Sequence, residues 1–306
     1  MTFDTEDFIG EKSVPALNRV LELLKKHKLT GLFFITGHMA EKLSDYPETV
    51  ELLNQHQIGF HTSSHSVHPT LFEFTDVEDY ENAYHASLLR ETSHVNPLTG
   101  EVEGKGGIHA LKALFPQKQI VSFRAPGFCW TPPHLEALKT LGITYDFSTN
   151  FSDSPCNYNG ITFYPSWTLY IFGALTNYLF VYNLLMRDVS TFLLHPHDLV
   201  DQHPWDITYR KSNPQTLSQS PNKSPAEEGY LCRELDLFLK RISGLQKTEL
   251  LEVTPALKPA GKTFQPALCD IEKYYNFSMK WPKNWFGYNP QHLHKHFIRF
   301  LRKDSV

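Results

Sequence analysis

The sequence predicts an α/β fold in which a parallel sheet closes toward a barrel. Three observations predict it. Short β-like runs alternate with amphipathic helical stretches through the first half of the chain, the spacing of β–α units joined by right-handed crossovers. Hydrophobic residues make up 41% and charged residues 20% of the 306 residues, a balance that buries a real core. Finally, FDTED, FHTSSH, FRAPG, YDFS and LLHPHD each follow a strand-like run, where such barrels place their active sites.

The elements read in order. Met1–Thr5 starts a strand; only three residues precede Asp4, so the strand is short, and an upstream start codon is an alternative. Val14–His27 puts Val14, Leu17, Leu21 and Leu24 on one helical face. Gly31–Thr36 reads as a buried strand, Pro47–His56 as a helix, Ile58–Thr62 as a strand and Asp76–Ser93 as a long polar helix. Ile120–Phe123 and Ile143–Phe147 are strands flanking a helix opened by Thr131-Pro132-Pro133, since proline suits a first turn. Thr191–Leu194 is a late strand and Tyr230–Ile242 a late helix. Asn96–Gly107 is glycine-rich without an apolar period, hence a loop. Gln202–Glu228, rich in Pro, Ser, Asn and Gln, reads as a long surface loop. The apolar run Thr168–Met186 is nearly long enough to span a bilayer, but Thr176, Asn177 and Asn183 interrupt it, so a buried core helix is expected.

Charge and cysteine usage exclude some classes. A formal net charge of −4 lacks the basic excess of a nucleic-acid binder, and no nucleic-acid partner is expected. The four cysteines, Cys129, Cys156, Cys232 and Cys269, form no C-x-x-C pair, which argues against a disulfide framework or zinc ribbon and suits a reducing compartment. The N-terminal stretch carries Asp4, Glu6 and Asp7 in place of a basic-then-apolar leader, so a cytoplasmic protein is expected.

Several residue groups can carry chemistry. Residues two apart on a strand face one side, so Asp4 and Glu6 can converge; a solvated acidic loop or helix cap would look the same. His61 and His65 in HTSSH can reach one metal ion if the backbone turns helically between them, and histidines with a carboxylate are usual ligands of a catalytic zinc. Two exposed histidines also recur by chance in a chain holding sixteen. Arg124, after a β run, can hold a carboxylate ionised or be an ordinary surface arginine. His195 can serve as a general acid or sit in a loop without a role.

Taken in this order, TFDTED, IGFHTSSHSVHP, FRAPGFCW and TFLLHPHD resemble the motifs of the NodB-type polysaccharide deacetylases, carbohydrate esterase family four. The resemblance runs from about Met1 to Val253 and implies a distorted (β/α) barrel of the NodB deacetylase type over residues 1–253, with residues 254–306 as an extension packed on it. It implies a hydrolase that removes an N-acetyl group from an amino sugar or sugar conjugate. Asp4 would be the base, Arg124 its holder, and His195 the acid. His61 and His65 would be ligands of a divalent metal, zinc by default, with cobalt, nickel, manganese or iron as alternatives. Glu6 would be the third ligand and Asp7 the alternative. Asp146, in YDFSTN, would partner His195. The metal and a backbone N–H near Gly127 or Phe128 would stabilise the oxyanion.

Two other readings remain at this point. The same fold could deformylate or hydrolyse a lipid-linked or small cyclic substrate, or it could be a sugar-binding module without catalysis. Trp130, Trp167 and Trp205 are candidates for stacking on sugar rings under either. The tail alternates Leu293, Phe297, Phe300 and Leu301 with Lys295, Arg299 and Arg302 behind Trp281 and Trp285. A closing helix on the barrel is expected there, with peripheral membrane contact through residues 281–302 as the alternative.

Overall fold

The computed structural model describes residues 1–65, 79–128, 130–149, 155–168, 191–204 and 217–243. In chain order the elements begin with β1 (Thr2–Thr5), α1 (Ser13–Lys26), β2 (Leu32–Ile35), α2 (Gly37–Leu43), α3 (Pro47–Leu53), β3 (Gln57–Phe60) and α4 (Tyr80–Glu91). Then come β4 (His94–Val95), β5 (Val102–Glu103), α5 (Ile108–Leu114), β6 (Ser122–Phe123), α6 (Pro132–Thr140) and β7 (Tyr145–Thr149). The last are β8 (Cys156–Tyr158), β9 (Ile161–Thr168), β10 (Thr191–Leu194) and α7 (Pro225–Ser243). Short 3-10 turns at Pro126–Phe128 and Pro196–Leu199 follow β6 and β10 closely.

The sheet closes on itself. β1 pairs β2, then β3, β6, β7 and β9 follow in parallel, and β9 pairs β10, which returns to β1. β8 adds an antiparallel hairpin strand to the start of β9. A closed ring leaves few open edges and divides each strand into an inward and an outward face. Leu32, Phe34, Phe147 and Tyr164 pack together inside. Phe33, Ile35, Ile58, Phe60, Phe123 and Phe163 alternate with them and join the larger core under the helices. Gly59 faces inward because Phe34 needs the room: a Cβ there would sit 2.6 Å from the ring.

The helices follow local chemistry. α1 buries Val14, Leu17, Val20, Leu21 and Leu24 and ends on Lys25 and Lys26, charges that suit a helix C-terminus. Thr36 caps α2 by accepting the Met39 N–H at 3.1 Å, and Asp79 caps α4 by accepting the Asn82 N–H at 3.0 Å. Pro47 opens α3 and Pro132 opens α6.

Several expectations shift. α2 and α5 were not anticipated, being seven-residue helices too short to show a period. The loop expected at Asn96–Gly107 carries most of a small hairpin, β4 with β5, whose turn is set by the Asn96 side chain accepting the N–H groups of Leu98 and Thr99. β9 was hidden by Pro165, a residue that argues against a central strand; the β7–β9 register is irregular where Thr149 meets Pro165. α7 begins at Pro225, inside the expected loop. Ser224 and Glu227 form a reciprocal capping box, Ser224 N–H to Glu227 Oε2 at 2.9 Å and Glu227 N–H to Ser224 Oγ at 3.3 Å. The run at 169–186, the tail and the boundary at 253/254 lie outside the described residues. Among the described residues, no helix is long and apolar enough to cross a membrane.

Candidate active site and metal centre

The inward face gathers the site at the C-terminal ends of the strands. Asp4 faces the barrel interior from β1, and Glu6 follows with the same parity. Thr5 lies between them with the opposite parity, and its buried Oγ1 has no hydrogen-bond partner among the described residues. Arg124 follows β6, is fully buried, and lies with its guanidinium 4.5 Å from the centre of the Phe34 ring. It donates to Asp4 Oδ1 at 2.8 Å, to Ser166 Oγ at 3.1 Å and to the Phe147 carbonyl at 3.1 Å. Asp4 is thereby held by a charge-assisted bond through Oδ1. Its Oδ2 lies 3.7 Å from His61 Nε2 and 4.0 Å from His195 Nε2.

His61 follows β3, and its Nδ1 lies 2.7 Å from the Arg124 carbonyl. A carbonyl only accepts, so Nδ1 carries the hydrogen. Nε2 then meets Glu6 Oε2 at 3.1 Å. His65 Nε2 reaches the same oxygen at 3.3 Å. In a neutral His61, this arrangement sets a nitrogen lone pair against a carboxylate oxygen, a contact that calls for a proton or a cation between them. Glu6, His61 and His65 each offer a ligand atom within 4.8 Å of the others, and all three are buried. Two imidazoles and a carboxylate are a donor set that fits a divalent transition metal. Burial pushes the Glu6 carboxyl up, but the charges of His65 and His195 and hydrogen bonds from His61 and His65 outweigh it. They hold Glu6 well below the usual carboxylate range.

Asp7 does not join this cluster. Its Oδ1 accepts the N–H groups of Ile9 at 3.1 Å and Gly10 at 2.8 Å, tying the turn after β1. A Cβ at Gly10 would crowd the Asp7 carboxylate. Among the described residues, Glu6 and not Asp7 groups with His61 and His65.

His195 follows β10 with a quarter of its side chain exposed. Its Nδ1 pairs with Asp198 Oδ2 at 3.2 Å, and its Nε2 faces Glu6 Oε1 at 3.9 Å. Burial opposes its charged form, yet Glu6, Asp198 and Asp4 together raise its pKa to about 10.

The expected Asp146–His195 pair is corrected. Asp146 stands in register with Phe123 and Phe163, both members of the outer core, while its neighbours Tyr145 and Phe147 pack with the inner cluster. Its parity therefore carries it away from His195. Its carboxylate accepts the Ser148 N–H at 2.7 Å and the Ser148 hydroxyl at 3.0 Å, and that hydroxyl accepts the Ala125 N–H at 2.7 Å. Asp146 thus anchors the segment beside Arg124, and burial pushes its pKa up to about 7 despite these bonds and the nearby Arg124 charge. The partner of His195 is Asp198, three residues along the same HPHD segment, which the sequence reading did not single out. The spacing H-P-x-D was the available signal, because the turn after β10 folds i+3 back onto i.

Trp130 is likewise corrected. It is 4% exposed and packs 5.5 Å from the Phe163 ring and 5.9 Å from Tyr158, in the core and not on a sugar-facing surface. The Trp167 side chain and Trp205 lie outside what is described. Of the two candidate oxyanion donors, the Phe128 N–H is committed to the Ala125 carbonyl at 3.0 Å.

Residues 1–145 match the model of the family described as polysaccharide deacetylase. Among solved structures, the chain is similar to a proposed polysaccharide deacetylase from Mycobacterium smegmatis, 16% identical with TM-score 0.48, over 80% of this chain and 83% of that one. It is similar to a family 4 carbohydrate esterase from Bacillus anthracis, 17% identical with TM-score 0.39, over 79% and 74%. It is also similar to a 4-alpha-glucanotransferase from Thermococcus litoralis, 14% identical with TM-score 0.49, over 81% of this chain and 38% of that one. Among curated proteins, none matches the chain. The matched span, residues 1–145, holds Asp4, Glu6, His61, His65 and Arg124.

Proposed function

We propose that the chain removes the acetyl group from the nitrogen of an amino sugar or sugar conjugate, with Glu6, His61 and His65 holding a divalent cation. One observation carries this reading. Carboxylates, imidazoles and an arginine from separate strand ends converge on one inward-facing cluster, with the donor atoms of Glu6, His61 and His65 within 4.8 Å. When bound, such a cation supplies Lewis-acid polarisation of the acyl carbonyl and acidifies water.

The chain's own residues supply the proton transfers. Arg124 holds Asp4 by Oδ1 and leaves Oδ2 turned toward the cluster, ready to take a proton from the attacking water. The new C–O bond forms as the carbonyl π pair moves onto oxygen. His195, oriented by Asp198 at Nδ1, gives its Nε2 proton to the departing nitrogen as the C–N bond breaks. Amine and acetate are the products. The two protonation states required, Asp4 ionised and His195 charged, then bracket an active pH window.

Zinc is the default cation for this donor set. The cytoplasm is the proposed compartment, on the scatter of the four cysteines; it favours a nucleotide-linked, lipid-linked or soluble amino sugar. The test pairs metal content of the purified protein with acetate release from a panel of N-acetylated sugars, for wild type and His61→Ala. Metal and acetate release, both lost in the variant, are expected. Folded protein that neither binds supplied zinc nor releases acetate refutes the proposal.

A further inference from the structure

The segment from His61 to His65 is held in an unusual backbone shape. Thr62 and His65 both adopt left-handed conformations, with φ of 64° and 55°, although neither is glycine. Such conformations persist only where the surroundings over-determine them. Part of that support is backbone: the N–H groups of Gly37 and His38, at the start of α2, donate to the carbonyls of Thr62 at 3.0 Å and Ser63 at 3.1 Å. Part is local: the His65 N–H donates to Thr62 Oγ1 at 2.9 Å, and the Ser63 hydroxyl donates to the Ser93 carbonyl at 2.6 Å.

Further support comes from a buried acid–imidazole pair outside the reacting cluster. Glu91, the last residue of α4, accepts the Ser63 N–H through Oε2 at 2.8 Å. Its Oε1 lies 2.8 Å from His134 Nε2, in the first turn of α6. Glu91 is 1% exposed and His134 2%. The His134 ring also stands edge-on to Phe123, 5.5 Å between centres, and Phe123 immediately precedes Arg124. A buried pair of this kind is weak as a source of stability, since desolvation offsets its attraction. Its geometry gives it another use: it fixes the loop that spaces the two histidines.

We propose that Glu91 and His134 are positioning residues for the metal ligands. Glu91 fixes the Ser63 backbone and so the separation of His61 Nε2 from His65 Nε2, and His134 fixes the orientation of Glu91. The inference rests on the reading that His61 and His65 hold a cation. Outer partners that orient ligands typically change metal affinity by about 10–100-fold when removed.

The experiment is zinc affinity by competition with a chromogenic chelator, at a temperature where each protein is folded by circular dichroism. Glu91→Ala and His134→Ala are expected to weaken zinc binding about 10–100-fold. Glu91→Gln is expected to recover most of the loss, because its amide oxygen still accepts the Ser63 N–H. Ser87→Ala is the structural control. Ser87 is buried in α4 and bonds the Ala83 carbonyl at 2.7 Å, so this variant should lower stability without moving zinc affinity. Zinc binding by Glu91→Ala within twofold of wild type overturns the proposal and leaves the metal reading standing; so does equal weakening in Glu91→Gln. Wild type that binds no zinc overturns the metal reading itself and this inference with it. Should Glu91→Ala not fold, His134→Ala decides alone: weakened binding supports the pair, and unchanged binding overturns it.

Discussion

Replacing Arg124 by methionine is expected to destabilise the fold severely, and replacing Asp4 as well is expected to restore part of the loss. Arg124 is fully buried and Asp4 is 3% exposed, and they meet at 2.8 Å. Methionine matches much of the arginine's volume and keeps contact with Phe34, so the loss is chiefly electrostatic. It leaves the Asp4 carboxylate buried without its counter-charge, and removing one partner of a buried pair costs about 3–5 kcal/mol. The Phe147 carbonyl and the Ser166 hydroxyl also lose the guanidinium, adding about 1 kcal/mol or more. A total near 4–6 kcal/mol is a large part of the roughly 5–15 kcal/mol that folded proteins possess. Asp4→Asn removes the carboxylate charge that Arg124→Met leaves buried without the guanidinium. The double variant should therefore be more stable than the sum of the single losses predicts, by about 2–3 kcal/mol. Urea unfolding in the presence of a chelator, which removes any contribution from bound metal, reads all three variants. Single losses that add to within about 0.5 kcal/mol in the double variant, or a loss below about 1 kcal/mol in Arg124→Met, would refute the reasoning.

Gly59→Ala places a Cβ 2.6–2.7 Å from two Phe34 ring atoms and 3.1 Å from the Ser122 carbonyl. Overpacking of this kind costs about 1–3 kcal/mol; because Phe34 carries the Arg124 guanidinium, acetate release should fall too, measured beside thermal unfolding. Asp146 has a folded pKa of about 7 against an ordinary value of 3.8, so the folded protein keeps a proton that the unfolded chain loses across that window. Its contribution therefore lowers stability as pH rises from about 4 to 7, by up to about 1.4 kcal/mol per pH unit. Asp146→Asn should remove that slope, seen as a growing advantage over wild type in urea midpoints taken from pH 4 to pH 7; parallel pH profiles of the two proteins would contradict it.

The strand-end chemistry was legible because strand parity is local. Asp4 and Glu6, two apart, share a face whatever the sheet does around them, and HTSSH and RAPG each follow a run apolar enough to be read as a strand. α1 and the proline-opened α6 were legible for the same reason, their periods and first turns being written in adjacent residues. Asp146 shows the limit. Its motif was visible, but its partner depended on the face it presents within β7, and only register with Phe123 and Phe163 decides that. The closure of the barrel rests on β9 meeting β10 across twenty-two intervening residues, 169–190, and no local pattern encodes a pairing so distant. Glu91 and His134 are forty-three positions apart, on helices whose own sequences give no hint of each other. The amino-acid sequence by itself determined which residues stand at strand ends and what chemistry they offer. The tertiary structure alone decided which acid faces which imidazole, because that choice is made by register and packing between segments remote in the chain.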